Sequence, residues 1–140
     1  MSGDGISIEP VAPEHVSGIM TLCELEGWTS FLENRERTWQ ALTSPGVITL
    51  VAMQGPRVMG FVQMQTDGTI QAHLSNVAVD AAARRRGVGR RLVEEAFALS
   101  GAKRIDLVST EGSEAFYRSF EHQSYPGYRI YPDGGERAMG

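Results

Sequence analysis

Between Val47 and Val79 three strand-length runs follow one another with almost nothing between them. Val47-Ile48-Thr49-Leu50-Val51-Ala52 is nearly continuous in apolar character, and Gly55-Pro56 turns it around. Val58 to Met64 comes next, Asp67-Gly68 marks a tight hairpin turn, and Thr69 to Val79 is long enough for a strand with a bulge or bend in its middle. A hairpin region of this kind needs helices or a second sheet to cover it, and the flanking sequence supplies helices.

Ile6-Ser7-Ile8 alternates as a short half-buried strand does. Pro13 suits the first turn of a helix, and Val16, Ile19, Met20 and Cys23 follow at amphipathic spacing until Gly27 closes it. A second helix is expected from Phe31 to Leu42, ending before Ser44-Pro45-Gly46. After the hairpins, Val88, Leu92, Ala96 and Leu99 repeat at helical spacing up to Gly101. Arg104 to Ser109 reads as a buried strand, Glu111 to Phe120 as a short helix and Tyr128 to Tyr131 as a final strand. The order β-α-α-β-β-β-α-β-α-β predicts an α/β (α+β) fold with a mixed sheet and helices on both faces.

The chain has 140 residues, 41% apolar and 21% charged, which suits one globular domain over 6–131 with flexible ends at 1–5 and 132–140. The longest apolar stretch, Val47 to Met53, is far short of the ~20 residues that span a bilayer. No secretory signal is visible at the start, so a cytoplasmic, membrane-free protein is expected. The single cysteine, Cys23, excludes an intrachain disulfide and suits a buried inert thiol. Histidines 15, 73 and 122 lack ligand spacing, so no metal is expected.

Net charge is −4, yet five of the 13 basic residues lie between Arg84 and Arg91. Nucleic-acid binders are usually basic overall, so a local cationic site in an acidic chain points to a small anionic ligand instead. The cluster sits in Val77-Ala78-Val79-Asp80 … Arg84-Arg85-Arg86-Gly87-Val88-Gly89-Arg90-Arg91-Leu92, where a strand ends and two glycines open a helix. Free N–H groups and the helix dipole at such a start, glycines without a Cβ and nearby arginines together make a diphosphate cradle. The ordinary alternative is a solvated basic helix start, but two glycines there cost ~1 kcal/mol each in helix propensity. A Walker loop requires Lys and Ser/Thr where Arg90-Arg91 stand, and a dinucleotide fingerprint requires a small residue where Leu92 stands; both fail.

The surviving pattern, Arg84-x-x-Gly87-x-Gly89, resembles the acyl-CoA-binding signature of the GNAT family of N-acetyltransferases. The resemblance extends from Ile6 to Tyr131 and is densest from Gln71 to Tyr117. It implies a mixed, mostly antiparallel central sheet with a splayed strand pair, the pantetheine arm of acetyl-CoA lying in the opening. The backbone of Val77, Ala78 and Val79 would then pair with that arm as an added strand does. Arg84, Arg85, Arg86, Gly87, Val88, Gly89 and Arg90 would surround the diphosphate. Tyr117 matches the family's tyrosine that protonates the leaving thiolate, with Phe116 beside it and Thr110 where an asparagine is common. Glu121-His122 replaces a common Gly-Phe pair, and only Pro126-Gly127-Tyr128 offers a later glycine–aromatic pair, so an altered last hairpin is expected.

The reaction also needs a base, because an ammonium must lose a proton before its nitrogen attacks. His73 stands where the histone-acetyltransferase branch has a glutamate, and imidazole suits proton removal directly or through water; a histidine satisfied by its neighbours is the plain alternative. Glu26 and Trp28 fall in the region that often forms the acceptor wall, as a carboxylate and a cation–π surface for an amine, or else as a helix end and a core cover. Gln63, Gln65 and Gln71 are candidate pocket-lining groups. The function implied is acetyl transfer from acetyl-CoA directly to a primary amine of a small molecule or peptide, in a ternary complex. A non-catalytic acyl-CoA sensor is the alternative, and homodimers are frequent in the family.

Overall fold

A computed structural model describes residues 5–110 and 112–134. The remaining end residues expected to be flexible, 1–4 and 135–140, lie outside the described residues. Nine main elements follow one another: β1 (Ser7–Pro10), α1 (Val16–Glu26), α2 (Arg35–Thr43), β2 (Val47–Gln54), β3 (Arg57–Thr66), β4 (Gln71–Val79), α3 (Val88–Ser100), β5 (Arg104–Asp106) and α4 (Glu114–Arg118). The strands form a five-stranded sheet in the order of the chain, antiparallel except for β4 with β5.

Both faces of the sheet are covered because its strands bury side chains on alternate sides. On one face Val88, Leu92, Val93 and Ala96 of α3 pack on Leu50, Val62, Met64 and Leu74. On the other, Ile19, Leu22 and Cys23 of α1 and Leu42 of α2 pack on Val51, Phe61 and Ala78. Among the described residues no helix is long and apolar enough to cross a membrane.

Two irregularities in the ladder matter for the site. The β3–β4 register runs Gln63↔Asn76 and then Met64↔Leu74, so Ser75 is the extra residue of a bulge. That bulge sets Ser75 and Asn76 both on the α1/α2 face, where Ser75 accepts a hydrogen bond from Gln65 at 3.0 Å. β4 and β5 pair only at Gln71↔Arg104, Ala72↔Ile105 and His73↔Asp106, after which β4 continues to Val79 with no strand on that side among the described residues.

The structure corrects three sequence expectations. The helix predicted from Phe31 to Leu42 is a 3₁₀ turn over Thr29–Leu32 and then α2, because Asn34 is extended and its side chain accepts the Arg37 N–H at 3.1 Å. The strand predicted from Arg104 to Ser109 stops at Asp106, where the β4 ladder is left behind. Tyr128 to Tyr131 forms no strand: Pro126 and Pro132 lack N–H donors, and Tyr128 and Ile130 are 82% and 79% exposed. The altered last hairpin is thus an extended segment that brings Gly127 alongside Val108.

Candidate active site

The divergence of β4 from β5 creates the first component, a one-sided strand. Asp80 donates its N–H to the Met59 carbonyl at 2.7 Å, so alternation along the β3–β4 ladder turns the N–H and C=O groups of Val77 and Val79 toward the gap. Their side chains meanwhile pack into the α3 core, and Ala78 is buried in the α1/α2 core. Core packing and an open backbone edge therefore coexist in one strand.

The second component is the turn into α3. Asp80 caps a 3₁₀ turn over Ala81–Ala83 by accepting the Ala82 N–H at 2.8 Å. Arg85 then has φ of +65°, the one non-glycine residue with positive φ among the described residues, and Gly87 follows at +74°. A left-handed non-glycine costs roughly 1–2 kcal/mol and is tolerated where surrounding structure enforces it. The first backbone bond of α3 runs from the Arg91 N–H to the Gly87 carbonyl at 3.0 Å. The N–H groups of Val88, Gly89 and Arg90 precede it and have no intrahelical acceptor. Left-handed residues before a helix start form the concave nest of amides that binds anions.

Gly89 is needed for a close approach. A Cβ there would lie 3.2 and 3.3 Å from ring atoms of Phe116, so α4 rests directly on the entrance of α3. The arginines are unequally committed. Arg84 donates from Nε to the Val79 carbonyl at 3.1 Å and pairs with Glu26 at 3.3 Å. Arg86 donates to the Ala82 carbonyl at 3.2 Å. Arg90 donates to the Ser119 carbonyl at 2.8 Å, pairs with Glu94 and stacks 3.9 Å from the Phe120 ring centroid. Arg85 is exposed, and its head group has no partner among the described residues.

Tyr117 stands on the α3 side of the sheet, packed into the core that includes Val77 and Val79, with its ring 5.0 Å from that of Phe116. Burial pushes the Tyr117 phenol above its ordinary value, which keeps it protonated at neutral pH. Thr110 is exposed, and its carbonyl accepts the Ser113 N–H at 3.1 Å in the turn before α4. His73 is exposed at the fork itself, the last β4 residue paired with β5. Its neighbours Ala72 and Leu74 point into the α3 core, so His73 faces the opposite side from Tyr117. It borders a shallow cavity of about 410 Å³ together with Gln65, Asp67, Gln71 and Asp106.

Glu26 and Trp28 follow each other at the end of α1, but they meet different partners. Glu26 pairs with Arg84, whereas Trp28 covers the core edge-on to Phe61 at 6.4 Å. Gln63 does not line a pocket. It is 5% exposed, donating to the Ala41 carbonyl at 3.1 Å and accepting from Asn76 at 2.9 Å, because alternation along β3 sets it on the same face as Phe61, toward α1 and α2. Sequence reasoning missed Asn76 and Ser75; the signal available was a polar pair interrupting an apolar strand.

The sequence model of the acetyltransferase (GNAT) domain matches residues 45–122, more than half of the chain. This chain belongs to the GNAT acetyltransferase family. No curated protein matches it. A transcriptional regulator from Bacillus halodurans C-125, 17% identical, superimposes with a TM-score of 0.76 over 90% of this chain and 99% of its own. An aminoglycoside acetyltransferase from an uncultured soil metagenomic sample, in complex with sisomicin, is 17% identical with a TM-score of 0.68 over 91% and 97%. An aminoglycoside N-acetyltransferase in complex with CoA is 15% identical with a TM-score of 0.70 over 89% and 94%.

For this GNAT domain the family match ends at residue 122, beside the departure at Glu121-His122. It begins at residue 45, so Glu26 and Trp28 lie outside it. Among the described residues no group of three or more His, Cys, Asp or Glu side chains could hold a metal. Cys23 is buried, and desolvation, aided by Glu26, pushes its thiol up to about 12, which leaves it neutral and unreactive.

Proposed function

We propose that the protein transfers an acetyl group from acetyl-CoA directly to a primary amine of a small molecule or peptide, with both substrates bound together. The observation that carries this reading is the open β4 edge running straight into the amide nest at α3. An edge offering alternate N–H and C=O groups suits the amides of a pantetheine arm, and the nest suits a diphosphate at its end. The residues present therefore fit acetyl-CoA, whose thioester supplies the activated acyl group when bound.

Val77 and Val79 would hold the arm through their backbone groups, and the Val77 N–H would polarise the acyl carbonyl. The amides of Val88, Gly89 and Arg90 would hold the diphosphate, with the unpaired guanidinium of Arg85 adding a charge-assisted contact. Tyr117 would hold a proton for the leaving sulfur. On the other side of the sheet His73 would take the proton of the acceptor ammonium, directly or through water. The net charge of −4 favours the approach of cationic amines, as does the likeness to aminoglycoside acetyltransferases.

Calorimetric titration with coenzyme A, followed by an acetyl-CoA consumption screen over amino acids, polyamines, aminoglycosides and peptides, tests the reading. Binding with turnover on an amine is the expected result. Absence of binding at millimolar coenzyme A overturns it, and tight binding without turnover on any amine would favour the sensor alternative. Within the site, Gly89→Ala is expected to weaken coenzyme A binding by up to about ten-fold, roughly 1.4 kcal/mol, since the new methyl crowds the Phe116 ring and narrows the approach to the α3 amides. Thermal stability should barely change, because alanine regains ~1 kcal/mol of helix propensity against that crowding. A variant that binds as tightly as the wild type would remove Phe116 from the site.

A further inference from the structure

Arg84 touches both sides of the site at once. Its Nε meets the carbonyl of Val79, the last residue of β4, while its terminal nitrogen reaches Glu26 at the end of α1, 58 positions earlier in the chain. The Val79 carbonyl faces the gap, and Glu26 is the carboxylate beside Trp28 on the α1 side. One guanidinium thus occupies an acceptor on the donor edge and neutralises Glu26, the carboxylate expected to belong to the amine wall. The pair is in contact with water, with side-chain exposures of 57% and 33%. Exposed pairs of this kind are weak and exchangeable, whereas a diphosphate offers a guanidinium two anionic groups in bidentate geometry.

We propose that the Arg84–Glu26 pair is a latch that couples the two substrates, an inference that rests on the acetyl-CoA reading above. While Arg84 is paired with Glu26, that carboxylate is unavailable to an ammonium. A diphosphate at the α3 entrance draws Arg84 away, and the released Glu26 carboxylate then attracts the acceptor cation. Linkage makes the effect mutual: whatever occupies Glu26 also frees Arg84 for the diphosphate. Arg84 and Glu26 are positioning residues here, acting on each other's availability.

Coenzyme A titrations of the wild type, Glu26→Gln, Arg84→Gln and the double variant form a cycle that isolates the pair. Glu26→Gln should tighten coenzyme A binding about two- to five-fold, the range an exposed ion pair spans. In the Arg84→Gln background the same change should have no effect. Glu24→Gln, the same charge change on the same helix away from Arg84, should leave affinity unchanged. The latch is overturned if Glu26→Gln binds no more tightly than the wild type, if its gain persists without Arg84, or if Glu24→Gln reproduces it. Should the wild type fail to bind coenzyme A, the acetyl-CoA reading falls as well; binding with a null cycle removes the latch alone.

Discussion

Tyr117→Phe is expected to lower the rate of acetyl transfer about 100-fold, within the usual reach of one positioned proton donor, while coenzyme A affinity stays within two-fold. The substitution removes only an oxygen. The ring remains packed against Phe116 and the α3 core, so the site should keep its shape. What is lost is the proton for the leaving sulfur, a basic group that departs more slowly unprotonated. Burial holds the phenol above its ordinary value of about 10, so wild-type activity should show no loss of this acid anywhere in the neutral range. The sign for stability follows. The folded state binds this proton more tightly than the unfolded chain, so the contribution is complete below about pH 10 and disappears as pH rises beyond it. Single-turnover kinetics is the measurement, because product release otherwise conceals the chemical step. A Tyr117→Phe rate within two-fold of the wild type would remove Tyr117 from catalysis.

Phe61→Ala should produce the largest change in stability. Phe61 is 0% exposed at the centre of β3, in the cluster that joins α1 and α2 to the sheet. Removing a buried phenyl ring costs about 3–5 kcal/mol in lost burial and residual cavity. For a chain of this size that corresponds to a fall in Tm of roughly 10–17 °C. The damage should also be one-sided in function. Trp28 stands edge-on to Phe61 at 6.4 Å and would lose its support, whereas the nest at α3 belongs to the core on the opposite face. Coenzyme A affinity of the folded variant should therefore stay near the wild-type value. Thermal melts with calorimetry at a temperature where the variant is folded read both effects; a Tm within 2 °C of the wild type would contradict the packing.

Much of this architecture is legible in the sequence alone. Successive apolar runs with Gly55-Pro56 and Asp67-Gly68 between them give a local signal, and β2, β3 and β4 follow it. The amphipathic repeat from Val88 to Leu99 is equally local, and α3 follows it to the Gly101 cap. The turn with Gly87 and Gly89 is readable because a left-handed helix entrance demands particular residue types at adjacent positions, and Gly87 at φ +74° precedes α3 as its spacing implies. Less could be read where neighbours decide. Phe31 and Leu32 show helical spacing, yet they pack beside α1 in a separate turn once Asn34 starts α2. Tyr128 to Tyr131 shows strand residues, yet a strand exists only where another strand completes its hydrogen bonds.

The sequence by itself determined the order of the elements from β1 to α4, the faces that α1 and α3 bury and the glycine-bearing entrance to α3, since each depends on residues within one or two turns of each other. Only the tertiary structure decided that β4 and β5 part after His73, that Ser75 bulges, that Gln63 is consumed by Ala41 and Asn76, and that Arg84 reaches Glu26. These depend on register and on distances between segments far apart in the chain. Such choices are settled jointly by packing on two faces of a sheet, and periodicity along a single segment carries no record of them.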